Sequence, residues 1–338
     1  MQLSNCTELR AQVQVALEAQ NSADAQAAIR DYLPALLAVL HAMENLDKAT
    51  HTVVKTMSFT WSSPTTRRKD PFFTLYTLRY EAAMAMTALG YACASVAASF
   101  LDAVSSPAQY EEAAKQALPH IKEASSVFAC IATEVLPLKE SLPFERPPEV
   151  LPGMHAALSV LFRSTGQQIA SKQASLKSMT PSLLAKLFTC AASLMKEADD
   201  GLKGLTNDYK DITPPLKSYT GGMHLFLTAV ALRNAAVDAW NSQRHGEGLW
   251  MVRTAKGRVD QAVKEGIMSG ASRTLAARVE EERSSLDRML EQWEKDNKLV
   301  YFERVKEPEA PLDGKAVSAA DCPTFALPPP SFELSLAP

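Results

Sequence analysis

A nearly continuous succession of helical apolar patterns most constrains what this 338-residue chain can fold into. Read at a 3.6-residue period, the patterns predict helices over about Ser4–Ala19, Ala23–Leu46, Phe73–Ala103, Pro107–Pro137, Met154–Leu176, Pro181–Lys203, Leu216–Gln243, Glu247–Ile267 and Ala271–Asn297. In the second of these, Ile29, Leu33, Leu36, Leu37 and Leu40 share one stripe. Alanine loses no rotamer freedom in a helix and glycine loses the most backbone entropy, so an Ala-rich chain with only 13 glycines suits this architecture. The breaks carry Pro147, Pro148, Pro152, Gly201, Gly204, Pro214, Pro215, Gly246 and Gly270 and are short, which predicts antiparallel neighbours. No linker of domain-separating length appears. The expected organisation is one helical domain over residues 1–306 and a Pro-rich extended tail over 307–338. Tyr301, Phe302, Phe325, Leu327 and Phe332 are expected to anchor that tail along the helical body.

One segment departs from the helical period. From Val53 to Trp61, and most clearly over Met57, Phe59 and Trp61, large apolar residues alternate, which predicts a short strand. The polar, basic run Ser62–Asp70 then reads as a loop or hairpin tip. Further on, Met223–Arg244 and Gly248–Lys264 form a helix pair joined by a polar turn. Its small residues Ala229, Ala231, Ala235 and Ala236 permit close approach, in the manner of a tetratricopeptide hairpin, although that repeat is not sustained along the chain.

Composition narrows the function classes. A net charge of −3 gives no global attraction to nucleic acid or anionic lipid. The five cysteines are far apart and lack metal or redox spacing, so reduced thiols of an intracellular protein are expected. No basic segment followed by an apolar run opens the chain, so no secretory signal is visible. Ala82–Leu101 runs uncharged for the length of a membrane span, yet Ala, Ser and Thr dominate it, which favours a buried core helix. No glycine-rich phosphate loop, zinc-type spacing or nucleophile elbow occurs. His41 with Glu44, and His120 with Glu123, sit one turn apart, but the order is reversed from a helical di-metal motif and facing carboxylates are not evident. No cofactor, metal or catalytic residue is expected.

The Pro181–Lys203 helix is more informative. Leu184, Phe188, Ala191, Met195, Ala198 and Leu202 make one stripe, and Leu183, Leu187, Cys190 and Leu194 make a second beside it. Together they span ~160° of arc, wider than the ~100° needed to face a single core. Either the helix is deeply buried, or the Leu183/Leu187 edge is an exposed apolar groove for a partner helix.

Several motifs resemble the Bro domain family. They are Ser58-Phe59-Thr60-Trp61, Ala88-Leu89-Gly90-Tyr91, Leu183-Leu184-Ala185-Lys186-Leu187, and Lys295-Asp296-Asn297-Lys298-Leu299-Val300-Tyr301-Phe302-Glu303-Arg304-Val305. The tail Phe325-Ala326-Leu327-Pro328-Pro329 is most similar to Brox-like single-domain members. The resemblance runs from about Cys6 to Phe332. It implies an all-α, elongated, curved helical solenoid with a tetratricopeptide-like core. It also implies a cytoplasmic, non-enzymatic adaptor recruited to endosomes, which binds the C-terminal amphipathic helix of an ESCRT-III subunit. The family's apolar patch corresponds to Leu183 and Leu187 with Ala170 on the preceding helix, and its flanking acid and base to Glu111 and Lys115.

Three departures stand out. Position 170 is Ala where the Alix branch has a large aromatic. The usual N-terminal strand is absent, which leaves Val53–Trp61 without an evident pairing partner. Brox-like proteins can end in a prenylation box, whereas this chain ends Leu336-Ala337-Pro338, with Cys322 not terminal. The rival readings are a helical scaffold for another peptide and, from a different class, a helical-bundle enzyme.

Overall fold

The structure is a computed structural model describing residues 2–44, 57–104, 106–136, 145–269, 271–317, 321 and 323–332. The chain is all-α, with one two-stranded hairpin among the described residues. The helices are α1 (Gln2–Glu18), α2 (Ser22–Glu44), α3 (Leu78–Asp102), α4 (Pro107–Cys130), α5 (Pro152–Leu176), α6 (Pro181–Lys203), α7 (Pro214–Asn241), α8 (His245–Lys264) and α9 (Arg273–Asp296). Short π-helical turns extend α4 and α9, over Ile131–Val135 and Asn297–Tyr301. Contacts divide the chain into two compact units. The first holds residues 1–162, 201–213 and 322–338, and the second 163–200 and 214–321. The boundary passes inside α5 and α6.

In the first unit α1 packs on α2, α2 on α3 and α3 on α4. A Cβ at Gly90 would lie 2.7 Å from the Phe128 ring, so glycine permits the close α3–α4 approach. The strands β1 (Phe59–Ser62) and β2 (Phe72–Leu75) pair antiparallel, with Phe59 opposite Leu75 and Trp61 opposite Phe73. This corrects two expectations. The strand at Phe59–Trp61 does have a partner, and the helix expected from Phe73 begins only at Leu78. Phe73 and Leu75 alternate into the core while Phe72 and Thr74 face out, which is strand periodicity. The Thr77 side chain then accepts a hydrogen bond from the Tyr80 N–H at 3.1 Å and starts α3 as its N-cap. Residues 53–56 of the expected strand lie outside the described residues.

Two buried carboxylates tie this unit together. Glu81 on α3 accepts from Arg10 Nε at 2.8 Å, Tyr32 hydroxyl at 3.0 Å and Trp61 Nε1 at 2.5 Å, joining α1, α2 and β1 at one point. Arg10 also lies over the Phe59 and Trp61 rings. Glu149 accepts from the Ser63 and Thr65 hydroxyls, both at 2.6 Å, and from the Thr65 N–H, holding the loop that joins the two strands. The helix α3 is long and apolar enough to cross a membrane by length and composition, and half of its apolar window is buried inside the protein.

In the second unit α7 and α8 form the hairpin expected from the small residues. Ala229, Ala231, Ala235 and Ala236 are all buried, and a Cβ at Gly248 would lie 3.2 Å from the Ala236 carbonyl. The helix α9 packs on α8, and Arg233 Nε donates to Glu282 at 2.5 Å. Trp240 stacks on Trp293, and His245 stacks on Tyr301 with ring centroids 3.6 Å apart. Glu303 closes the corner. Its carboxylate bonds His245 Nδ1 at 2.8 Å and accepts the Gly246 N–H at 2.7 Å, at the start of α8. The amide hydrogen bond from Gly246, with His245 beside it, holds that carboxyl below the usual range. Phe302 follows the π-turn at φ 56° and is 75% exposed, so it is not the tail anchor expected of it.

Candidate functional site

The apolar arc of α6 is mostly core. Leu184, Phe188, Ala191, Met195, Ala198 and Leu202 are buried, as the first stripe requires. The second stripe splits. Leu187 is only 3% exposed and Leu194 is also buried, whereas Leu183 and Cys190 are half-buried. Of the two alternatives for this helix, burial describes Leu187, and partial exposure of the edge is found only at Leu183.

The backbone of α6 at this point has a neighbour that the helical period could not reveal. Gln167 on α5, itself fully buried, donates from Nε2 to the Leu187 carbonyl at 3.2 Å and to the Lys315 carbonyl at 3.1 Å. Its Oε1 accepts the Val317 N–H at 3.1 Å. Lys315 N–H in turn donates to the Lys186 carbonyl at 2.9 Å, and Gly314 rests against the Cys190 backbone. An extended segment of residues 307–317 thus lies along one flank of α6. A single amide side chain satisfies polar groups of helix and strap together.

Ala170 lies three residues beyond Gln167 on α5 and is half-buried. Leu183, Leu187 and Ala170 all belong to the second unit. Glu111 and Lys115 lie on α4 in the first unit, where they form an i,i+4 ion pair at 3.8 Å with both side chains largely in water. Lys115 is also 3.9 Å from Glu112.

His120 and Glu123, one of the two pairs spaced a turn apart, each have other neighbours. Glu123 forms a bidentate pair with Arg30, both oxygens at 2.7 Å, and His120 stacks on Phe100. His155 is fully buried, with Nε2 on the Glu149 carbonyl and no partner for Nδ1. Burial lowers its pKa to about 4. His224 Nδ1 lies 3.0 Å from the Gly221 carbonyl. Among the described residues, no three His, Cys, Asp or Glu side chains group as a metal site. Burial pushes the Cys93 and Cys130 thiols up to about 12, which leaves them poor nucleophiles.

A family model described as BRO1-like domain matches residues 1–331. No curated protein sequence matches the chain. Among solved structures, the chain is similar to that of an ALIX BRO1–CHMP4C complex, at 19% identity and a TM-score of 0.63, covering 85% of this chain and 77% of that one. It is similar to a Bro1 domain described in connection with endosomal targeting, at 14% identity and a TM-score of 0.67, covering 96% and 82%. It is also similar to ALIX in complex with the SIVmac239 PYKEVTEDL late domain, at 19% identity and a TM-score of 0.65, covering 91% and 41%. At these identities the structural likeness speaks for the fold.

Proposed function

Since this chain belongs to the BRO1-like domain family, we propose that it is an ESCRT-III-binding adaptor and not an enzyme. The observation that carries the reading is the family match over residues 1–331, supported by the likeness to the ALIX BRO1 domain solved with CHMP4C. The partner on this reading is the C-terminal amphipathic helix of an ESCRT-III subunit of the CHMP4 type. The protein is cytoplasmic and reaches endosomes through that partner.

Leu183 is the principal apolar anchor, because it is the half-buried member of its stripe. Ala170, half-buried on α5, is small where an aromatic would stand in the Alix branch. Leu187 contributes from beneath, by holding the shape of α6. Glu111 and Lys115 are proposed as partner-contacting charges on α4. An amphipathic helix docks by spaced apolar residues in a groove, so one half-buried leucine suits a small apolar side chain.

The experiment is calorimetric titration of the chain with a synthetic CHMP4-type C-terminal helix. Saturable binding that is weakened at least tenfold by Leu183→Asp supports the reading. A folded wild-type protein with no measurable binding refutes it. Glu111→Lys and Lys115→Glu test the charged pair separately.

A further inference from the structure

The tetratricopeptide-like hairpin of α7 and α8 lines a cleft with α6, which the ESCRT-III reading leaves unused. Residues 307–312 cross this cleft in extended form, and open space remains on both flanks, about 810 Å³ on one and about 400 Å³ on the other. The larger flank has small residues, Ala192 and Ala231, with Trp250 and Met251 as apolar walls and Lys196 and Arg258 at its rim. Protein interiors are close-packed, so a segment that spans a cleft without filling it is not an ordinary core contact.

We infer that this cleft is a peptide groove, occupied in cis by the chain's own strap. In trans it takes an extended acidic peptide with the spacing Pro-x-x-Pro-Leu. The strap itself supplies the chemistry, as Glu307-Pro308-Glu309-Ala310-Pro311-Leu312. Pro308 and Leu312 are the half-buried residues, while Glu309, Ala310 and Pro311 face out. Each proline holds the preceding residue extended, which lowers the entropy lost on docking. Small residues in the groove let a backbone approach closely, and the lysine and arginine at the rim suit acidic positions in the ligand.

The strap is also built to lift. One foot is the bonding of Glu303 to His245 and Gly246, and the other is the Gln167 clamp on Lys315 and Val317. Among the described residues, the first backbone hydrogen bond from the strap to the helices comes at Lys315. Residues 307–313 therefore make no backbone hydrogen bond to the helices among the described residues, and both feet can stay in place while the middle rises. A tethered segment competes at an effective concentration of ~mM, so the free groove is much stronger than the occupied one. None of this involves Leu183, and it stands whether or not the ESCRT-III helix binds.

The test uses the full chain and a fluorescein-labelled peptide copying residues 307–313, followed by anisotropy. The Pro308→Gly/Leu312→Gly variant loosens the strap and is expected to bind the peptide at least tenfold more tightly than wild type. In that background Trp250→Ala should lose most of the gain. Ser193→Glu, at an exposed rim position, should weaken the acidic peptide severalfold. A folded, strap-loosened protein that binds no better than wild type overturns the inference, as does equal binding of the reversed-sequence peptide. The wild-type chain gives an independent arm. Millimolar peptide should speed tryptic cleavage after Lys306 by displacing the strap, and an unchanged rate also overturns the inference.

Discussion

Replacing Leu183 and Leu187 one at a time separates the groove from the core on a single helix. Leu187 is 3% exposed and lies beneath the Gln167 clamp, so Leu187→Ala removes buried methyl groups and leaves a cavity. Such truncations cost about 2–5 kcal/mol; taking about 3 kcal/mol, the melting temperature should fall by about 6–12 °C, at roughly 2–4 °C per kcal/mol for domains of this size. Leu183 is half-buried, so Leu183→Ala forfeits only part of the ~1.5–3 kcal/mol of a fully buried leucine, about 1 kcal/mol. Leu183→Asp should fold with a similar small loss. In a complex it would leave a desolvated carboxylate, costing about 2 kcal/mol, roughly thirtyfold in affinity. Differential scanning calorimetry reads the first effect and calorimetric titration with the ESCRT-III helix reads the second. Wild-type melting of Leu187→Ala would refute the packing argument. Normal binding by a folded Leu183→Asp protein would move the docking site elsewhere.

The other predictions concern the first unit. Glu81→Gln keeps the size but loses the charge that joins Arg10, Tyr32 and Trp61, and Glu81→Ala removes the acceptor of all three; at about 1–3 kcal/mol for the buried Tyr32 hydroxyl and less for the part-buried Arg10 and Trp61 donors, the alanine variant should be destabilised by about 2–4 kcal/mol in urea titration and the glutamine variant by less. Burial lowers the His155 pKa from 6.5 to about 4, so below pH 6.5 the unfolded chain takes up a proton that the folded protein refuses. Stability that is complete above pH 6.5 should therefore fall by about 3 kcal/mol as pH approaches 4. Burial raises the Glu149 pKa, an opposing contribution that favours the folded state as that carboxyl protonates, so His155→Asn should flatten or reverse the acid loss seen in pH-dependent melting. Iodoacetamide at pH 8 should leave Cys93 and Cys130 unmodified in the native protein and label them after denaturation, with mass spectrometry locating the adducts.

The order of the helices among the described residues, the α7–α8 hairpin and the core stripe of α6 were legible in the sequence, because helical burial repeats every 3.6 residues and leaves a periodic trace. The Bro-type motifs were legible for the same reason, being local words in fixed order. The second strand was not. Phe72–Leu75 carries a strand pattern only four residues long, and that pattern abuts a long helical one that absorbs it. Burial of Leu187 was equally hidden, since the period places Leu183 and Leu187 together on one edge. The Leu187 carbonyl is met by Gln167, twenty residues earlier, which also holds Lys315 and Val317, more than a hundred residues later. Periodicity reports which side of an element is apolar. Only tertiary structure decides what covers that side, because covering segments are chosen by long-range packing and leave no repeat in the residues they cover.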